Sequence, residues 1–263
     1  MSEVITSRDN VTVKSVMRLL AEGKYRRKTG QFVCEGVRLC RDGIVSGRKP
    51  LLCLYTAEAK EKYAADWKKI CAAAQRTFEV KKAIFDGISD TVSPQGILCV
   101  YEMLDKTALL NTISNQGSYI ALENIQDPSN MGTILRTAEA FGLDGVILSA
   151  DCCDIYAPKV LRGSMGAVFR LPIGVMQPFA EGIKALTQKG VHTYASTPHN
   201  ACDIRKVDFS SGGIILVGNE GNGLTEQVIN ACEMSITIPM KGRAESLNAA
   251  TAAAVLTWCL MCQ

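Results

Sequence analysis

Apolar positions near the start of the chain alternate between helical spacing and short continuous runs. Five of them have the i, i+3, i+4 spacing of one helix face: Val13, Val16, Met17, Leu19 and Leu20. Gly23 is expected to end this helix before the basic stretch Lys24–Lys28. Further on, the pattern predicts strands at QFVCE (31–35), LLCLY, TFEV and GILCVYE, with helices over 37–45 and 57–76. This alternation predicts a small α/β domain.

The second part of the chain repeats the alternation with more strands. Six short runs rich in β-forming residues are expected to be strands: YIALE, GVILS, AVFRLPI, HTYAS, GIILVG and SITIP. Helical patterns lie between or after them: 132–141, 158–165, 178–188, 224–231 and 247–262. Apolar strands that alternate with helices predict a mostly parallel sheet with both faces covered. We therefore divide the chain into a small N-terminal α/β domain (1–105), a polar linker (106–117) and a larger C-terminal α/β domain (118–263).

Charge is distributed unevenly between these parts. Residues 1–105 carry 18 Lys and Arg against 13 Asp and Glu, whereas residues 106–263 carry 11 against 13. A basic first part joined to a mildly acidic remainder indicates that the first part binds a polyanion such as RNA. The alternative is a solvated lysine-rich face.

Several classes of protein are disfavoured by what the sequence lacks. The first ten residues do not form a signal peptide, and the longest apolar run, 249–262, is too short to cross a membrane. We therefore expect a cytoplasmic protein. The eleven cysteines are scattered through apolar segments, which is typical of small buried hydrophobes, and a single CxxC without further ligands predicts no metal site. The string GNEGNG has the wrong glycine spacing for a dinucleotide loop, and there is no P-loop.

Three segments carry an excess of polar residues just after predicted strands. In ENIQDPSNMGTILRTAEAFG, Asn130 begins a helix and Arg136 lies inside it, where an arginine needs an anionic partner. In IILVGNEGNGL, Glu220 lies between glycines. In ITIPMKGRAESLNAATAAAVL, Ser246 is placed as a helix N-cap, with Asn248 in the first turn. Taken singly, each has a structural explanation: a salt bridge for Arg136, a solvated turn for Glu220 and capping for Ser246.

Taken together, the segments resemble a known set of motifs. N-M-G-x-x-x-R (130–136), G-x-E-x-x-G (218–223) and I-P-M-x-G-x-x-x-S-L-N (238–248) are similar to the three motifs of the SpoU/TrmH-like RNA 2′-O-ribose methyltransferases of the SPOUT superfamily. The run YAPKVLRGSMGAVFRLPI resembles the family's segment between the first two motifs. The early segment VKSVMRLL…RRKTGQFVCEG resembles the substrate-binding domain that many members carry.

The resemblance implies a fold and a cofactor. It implies an α/β domain with a deep trefoil knot, which general rules of chain topology would not predict. It also implies S-adenosylmethionine, held largely by backbone groups of the knotted loops at Gly218, Ile238, Met240 and Leu247, with Thr197 lining the same pocket. Members of the family are homodimers whose active site is completed near the subunit interface. No metal is implied.

Roles for individual residues follow from the same resemblance. Arg136 matches the family's catalytic arginine; because a guanidinium stays protonated, we expect it to hold a phosphate and polarise the 2′-hydroxyl. Four further residues are expected to position substrate, cofactor and Arg136: Asn130, Glu220, Ser246 and Asn248. RNA contacts are expected from Lys24, Arg26, Arg27, Lys28 and Arg162.

Two other functions stay open at this point. The protein could methylate tRNA rather than rRNA, although the N-terminal domain favours rRNA. It could also be a non-catalytic RNA-binding assembly factor on the same fold, against which the joint presence of the motif residues argues.

Overall fold

The computed structural model describes residues 4–198 and 200–262. The elements of the first part are β1 (Val4–Ile5), α1 (Val11–Ala21), α2 (Gly23–Thr29), β2 (Gln31–Glu35), α3 (Val37–Val45), β3 (Leu52–Tyr55), α4 (Ala57–Lys62), α5 (Ala64–Ala73), β4 (Thr77–Val80), α6 (Lys82–Ile88) and β5 (Ile97–Glu102). After a short 3-10 helix (Ala108–Asn111) come β6 (Ser118–Leu122), α7 (Pro128–Ala140), β7 (Gly145–Ser149), α8 (Pro158–Ser164), α9 (Ala167–Arg170), β8 (Ile173–Met176), α10 (Phe179–Gln188), β9 (Thr193–Ser196), β10 (Cys202–Asp203), a second 3-10 helix (Ile204–Lys206), β11 (Gly213–Val217), α11 (Glu226–Ala231), β12 (Met234–Thr237) and α12 (Ala249–Cys262).

The chain forms two compact units. The first comprises the residues up to Leu104 together with Tyr156–Phe169, and the second comprises Asp105–Ile155 together with the residues from Arg170 onward. The stretch 156–169 is joined to the first unit by ring packing, since the Tyr156 and Phe32 centroids lie 4.5 Å apart. Within the stretch 106–117, expected to be a linker, Leu109 is buried in the core of the second unit.

The first unit is built on a five-stranded mixed sheet in the order β1-β4-β3-β5-β2. Strands β1, β4 and β3 are parallel, while β5 runs antiparallel to both β3 and β2. Cys34, Cys99 and Cys53 are register partners across the three adjacent strands β2, β5 and β3, and all three are buried. Every cysteine of the chain is a free thiol.

Two helix predictions in this unit need correction. Helix α1 ends at Ala21, before the basic stretch as expected, but only Glu22 is extended and Gly23 begins a second helix, α2. Helix α2 carries the basic stretch and ends at Thr29, followed by Gly30 in the left-handed conformation. The helix predicted over 57–76 is broken at Tyr63 into α4 and α5. Helix α6 was not predicted, because its seven residues are too few to show a period.

Arg26 was expected to contact RNA, and the structure contradicts this. Its turn of α2 faces inward, so Arg26 is only 4% exposed. Its Nη1 donates to the carbonyl oxygens of Leu19 (2.7 Å) and Leu20 (3.1 Å), which lie in the last turn of α1. A cation at this end of a helix satisfies carbonyls that have no intrahelical partner. Arg26 therefore fastens α2 to α1.

The second unit is built on a seven-stranded sheet in the order β10-β12-β9-β11-β6-β7-β8. Each of its strand pairings is parallel, as the apolar runs predicted. Strands β6, β7 and β11 are buried along nearly their whole length. None of the described helices is long and apolar enough to cross a bilayer.

The strand predicted at AVFRLPI is wrong in its first half. Ala167–Arg170 form a single helical turn, α9, and β8 begins only at Ile173. The left-handed residues Met165 and Gly166 end α8 and redirect the chain there. Three consecutive buried residues fit a buried helix turn as well as a buried strand, so the pattern could not distinguish them.

Candidate active site

The three polar segments meet at the carboxyl ends of the parallel strands of the second unit. Residues that follow β6 and β11, adjacent strands at the centre of the sheet, lie beside those that follow β12 and precede α12. Adjacent parallel strands end at the same edge, and this is where open α/β sheets bind ligands. The sheet order alone therefore brings together residues about a hundred positions apart in the chain.

Glu220 fastens the second segment to the first. Its carboxylate accepts hydrogen bonds from the backbone N–H of Gln126 (3.2 Å) and Asp127 (3.0 Å). It also accepts one from Nδ2 of Asn130 (3.0 Å), which is buried. Asp127 caps α7 with its own side chain, which accepts from the Ser129 N–H at 2.7 Å. Glu220 thus lies over the positive N-terminal end of α7.

Asn130 passes the connection on to the third segment. Its Oδ1 accepts a hydrogen bond from Nδ2 of Asn248 at 2.9 Å. The Oδ1 of Asn248 in turn accepts from the backbone N–H of Ala250 (3.0 Å) and Thr251 (3.2 Å). Asn248, and not Ser246, therefore caps α12, because the helix begins two residues later than expected. Glu220, Asn130 and Asn248 form one chain of hydrogen bonds through all three segments.

This environment keeps Glu220 ionised. Partial burial by itself would raise the pKa of Glu220, but the hydrogen bonds from Asn130, Asp127 and Gln126 outweigh it and hold the pKa below its ordinary value. None of these donors carries a positive charge, so Glu220 leaves a net negative charge at the site.

The loop that carries Glu220 is shaped by close approach of the backbone. A Cβ on Gly218 would lie 2.1 Å from the carbonyl carbon of Gly223, so a side chain at Gly218 would force the loop apart. Asn219 closes the turn through two backbone hydrogen bonds with Gly223 (3.0 and 2.9 Å). Only glycine fits at position 218.

A cavity of about 280 Å³ opens beside this chain of hydrogen bonds. All five residues expected to bind the cofactor line it: Thr197, Gly218, Ile238, Met240 and Leu247. Glu220 and Ser246 line it as well, together with Glu245, which the sequence did not single out.

Arg136 stands apart from both the cavity and the hydrogen-bonded chain. It lies on the exposed face of α7 and does not line the cavity. Among residues 4–198 and 200–262, Arg136 forms no ion pair or side-chain hydrogen bond, so the salt bridge considered as an alternative is not found there. Its guanidinium group is directed to solvent and is available to a ligand.

The residues expected to contact RNA lie in the first unit. Lys24, Arg27 and Lys28 are exposed on α2, around the buried Arg26. Arg162 pairs with Asp90, with 2.6 Å between Nη1 and Oδ2. No group of three or more His, Cys, Asp or Glu side chains in the described part of the chain is arranged to hold a metal ion.

Comparison with protein families decides the identity of this arrangement. Residues 117–258 match the model of the SpoU rRNA methylase family, and residues 10–99 match the MRM3-like substrate-binding domain. The chain belongs to the SpoU rRNA methylase family. The match to the family spans all three segments and the cavity between them.

Individual relatives agree with this assignment over nearly the full chain. An uncharacterised tRNA/rRNA methyltransferase of Synechocystis is 32% identical over 97% of this chain and 92% of its own length. The 23S rRNA (guanosine(2553)-2′-O)-methyltransferase RlmP of Bacillus subtilis is 29% identical over 97% of both chains. The solved structure of an AdoMet-bound rRNA methyltransferase from Sinorhizobium meliloti is 30% identical, with a TM-score of 0.86 over 98% of this chain and 97% of that one.

Three residues that support the site of this SpoU family member were not predicted. Asn219 Nδ2 donates to the carbonyl oxygen of Asn124 (2.8 Å), and Gln126 Nε2 donates to the Asp151 carbonyl. Asn124 has a positive φ of 54°, which an asparagine tolerates better than most residues. The sequence signal that could have identified these residues is their position, as polar residues shortly after the buried strands β6 and β11.

Proposed function

We propose that the protein transfers a methyl group from S-adenosylmethionine to a ribose 2′-hydroxyl of rRNA. The observation that carries the proposal is the Glu220–Asn130–Asn248 chain of hydrogen bonds beside the cavity, which joins the three motif segments. The names of the relatives support the same reaction: RlmP acts on guanosine 2′-oxygen of 23S rRNA, and a Streptomyces viridochromogenes relative acts on uridine 2′-oxygen.

The cavity suits S-adenosylmethionine. Its volume of about 280 Å³ is close to the ~300 Å³ lower range of small-molecule sites. Because Gly218 has no side chain and packs closely against Gly223, backbone groups are exposed on the cavity wall there. Ile238, Met240 and Leu247 add apolar surface to the same wall. When bound, the cofactor supplies a methyl group already activated by its sulfonium sulfur. The protein then has to align the 2′-oxygen and assist removal of its proton.

Arg136 is the residue that we assign to the ribose. Its guanidinium cannot serve as the base, since it stays protonated, but its planar fork can hold an RNA phosphate in two hydrogen bonds and polarise the adjacent hydroxyl. Asn130, Glu220 and Asn248 fix the start of α7, which carries Arg136, relative to the cavity. Ser246, at the cavity wall, is placed to contact the bound molecules.

rRNA is favoured over tRNA because residues 10–99 match a substrate-binding domain. In addition, two relatives that cover both units are named for 23S rRNA, while a third is named for tRNA or rRNA. A non-catalytic assembly factor would need neither an open cofactor cavity nor an exposed arginine, Arg136, that forms no ion pair within residues 4–198 and 200–262. We accordingly assign the protein to the cytoplasm, where rRNA is modified.

The deciding experiment maps 2′-O-methyl groups by mass spectrometry in rRNA and tRNA from cells with and without the gene. One rRNA nucleotide should lose its methyl group and regain it when the purified protein and cofactor are added. A lost methyl group on tRNA would support the alternative substrate, and an unchanged map with intact S-adenosylmethionine binding would contradict the assignment of activity.

The exposed cations of α2 are expected to contribute to RNA affinity. Replacing Lys24, Arg27 and Lys28 with alanine removes three charges, so the dependence of log affinity on log salt should flatten by up to about three ion equivalents. The measurement is RNA binding by filter retention between low and moderate salt. A matched triple variant in the second unit, Lys184, Lys189 and Lys206 to alanine, should bind RNA nearly as the wild type does.

Arg26→Ala distinguishes the structural role of the buried Arg26 from the RNA-binding role proposed for the exposed cations of α2. It should lower the unfolding free energy by about 2 kcal/mol, because two carbonyls lose a charged donor, whereas the α2 triple variant should melt like the wild type. If the triple variant bound RNA with unchanged affinity and unchanged salt dependence, α2 would not be an RNA contact.

We also propose a homodimer. Helix α12 is apolar around its circumference, yet its face at Thr251, Val255, Trp258 and Cys262 is exposed in the single chain. Trp258 remains 55% exposed and packs edge-on against Phe141, at the end of α7, with ring centroids 5.6 Å apart. A second copy covering this face would lie close to the helix that carries Arg136, as the family's subunit arrangement implies.

Trp258→Glu tests the dimer. A carboxylate in the middle of an apolar interface should raise the dimer dissociation constant by at least tenfold, since its burial has no compensation. Sedimentation equilibrium measures this constant, and Lys184→Glu is the control at an exposed site outside the face. A wild-type protein that sediments as a monomer at micromolar concentration would contradict the dimer.

The trefoil knot is proposed on the family assignment. The order β9-β11-β6 and the return of the chain after β12 to cavity-lining positions 245–247 beside Gly218 support it.

A further inference from the structure

The cofactor cavity has an unbalanced charge. The residues described as lining it include two carboxylates, Glu220 and Glu245, and no lysine or arginine. Lys241 and Arg243 belong to the same loop as Glu245 and are exposed, but neither lines the cavity. A ligand in this cavity is therefore surrounded by net negative charge.

The two carboxylates differ in how far they are already engaged. Glu220 accepts hydrogen bonds from Gln126, Asp127 and Asn130, and a longer one from Nδ2 of Asn219 (3.5 Å), so its oxygens are directed into the protein. Glu245 forms no hydrogen bond and no ion pair with any residue in 4–198 or 200–262. It is exposed in the loop before α12, at the cavity wall. Glu245 is thus the carboxylate that remains available to a bound molecule.

The reaction changes the charge of the molecule in the cavity. S-adenosylmethionine carries a sulfonium and an ammonium against one carboxylate, a net charge of +1. When an electron pair of the 2′-oxygen forms the new bond to the methyl carbon, the S–C bonding pair stays on sulfur and the hydroxyl proton is released. The sulfur is then a neutral thioether, and S-adenosylhomocysteine has a net charge of zero. A negative wall attracts the first molecule more than the second.

We propose that Glu245 is a cofactor-specificity residue that favours the charged cofactor over its neutral product. This rests on the proposed function, since it takes S-adenosylmethionine as the ligand. The carboxylate acts through its charge on the whole molecule, so it does not need to touch the reacting atoms. Its effect is to weaken product binding relative to cofactor binding, which speeds exchange after each transfer.

The test compares three ligands by calorimetry on the full chain: S-adenosylmethionine, S-adenosylhomocysteine and sinefungin, whose protonated amine restores the positive charge without a methyl sulfonium. Glu245→Gln keeps the size of the side chain and removes its charge. The substitution should lower the affinity for S-adenosylmethionine and for sinefungin by about three- to tenfold, as expected for unit charges several ångströms apart near solvent. The affinity for S-adenosylhomocysteine should change by less than about twofold.

Glu181→Gln is the matched control, because Glu181 is an exposed carboxylate of the same unit that does not line the cavity. It should leave all three affinities unchanged, and both variants should melt like the wild type. Equal weakening of all three ligands would show that Glu245 binds a group they share, and unchanged affinities would show that it does not act on the ligand; either result overturns the proposal. Sinefungin behaving like the product would overturn it too. If the wild type bound none of the three, the proposed function itself would fail.

Discussion

Arg136→Ala is expected to lower the single-turnover rate of methyl transfer by about 100-fold or more, the usual loss when a charged group that stabilises the transition state is removed. The melting temperature and the affinity for S-adenosylmethionine should stay at wild-type values. The structure gives the reason for this separation, because Arg136 is exposed on α7, forms no ion pair within the described residues and does not line the cavity. Arg136→Lys should recover only part of the rate, since an ammonium keeps the charge but loses the two-pronged geometry.

The control is Arg205→Ala, which removes another exposed arginine of the same unit, one that pairs with Asp203 outside the cavity. Rate, melting temperature and cofactor affinity are measured on all three variants. A folded Arg136→Ala that methylates rRNA at a near-normal rate would remove Arg136 from the mechanism. Joint loss of melting temperature, cofactor affinity and rate would show that Arg136 is structural.

Glu220→Ala is expected to inactivate the protein by disrupting the hydrogen bonds that hold the site together, rather than by removing a group that contacts the ribose. The substitution leaves Nδ2 of the buried Asn130 and the backbone N–H of Gln126 and Asp127 without their acceptor. Water can reach the two backbone groups, which are at exposed residues, so the cost in unfolding free energy should be about 1–3 kcal/mol rather than the sum of three buried losses. Because the start of α7 and the Asn130 side chain then lose their link to the 218–223 loop at the cavity wall, cofactor affinity should fall at least tenfold and methyl transfer at least 100-fold.

Glu226→Ala serves as the control for this experiment, since Glu226 is an exposed carboxylate at the start of the neighbouring helix α11 and does not line the cavity. Its cost should not exceed about 1 kcal/mol, the value of a charge near a helix end. Chemical denaturation and calorimetry measure the two effects. Unchanged stability together with unchanged cofactor affinity in Glu220→Ala would show that the chain of hydrogen bonds is dispensable.

The contribution of Glu220 should depend on pH with a definite sign. Its pKa is lowered in the folded protein, so its stabilisation is complete above the ordinary pKa of a glutamate and is lost as the pH falls through the lowered value. The stability difference between wild type and Glu220→Gln should therefore be constant near neutral pH and shrink in acid.

Much of the second unit could be predicted from sequence because its strands are buried on both faces and its helices are long enough to show a period. Where several consecutive residues are buried, as at Ala167–Phe169, the same pattern fits a helix turn, and the left-handed Met165 that decided the matter gave no signal. The burial of Arg26 was equally hidden, since nothing within a run of basic residues shows which one faces the adjoining helix.

The candidate site divides in the same way. The strand pattern places each of the three segments after a strand of a parallel sheet, at the same edge, but the strand order that makes β6 and β11 neighbours came only from the structure. The hydrogen bonds between the segments could not be predicted, because they depend on where α12 begins. A start at Ala249 makes Asn248 the N-cap and turns its Nδ2 towards Asn130. The expected start would have made Ser246 the N-cap. A shift of two residues in one helix end thus decided which side chain joins the site.

The link between Asn130 and Asn248 spans 118 residues of chain, and this separation imposes an order on synthesis. At 5–20 residues per second, roughly ten seconds pass between translation of the first amide and translation of the second. During that interval the start of α7 exists without its Asn248 partner, because the third segment has not yet been translated. The methyltransferase therefore cannot complete the hydrogen-bonded chain of its site before position 248 has been translated.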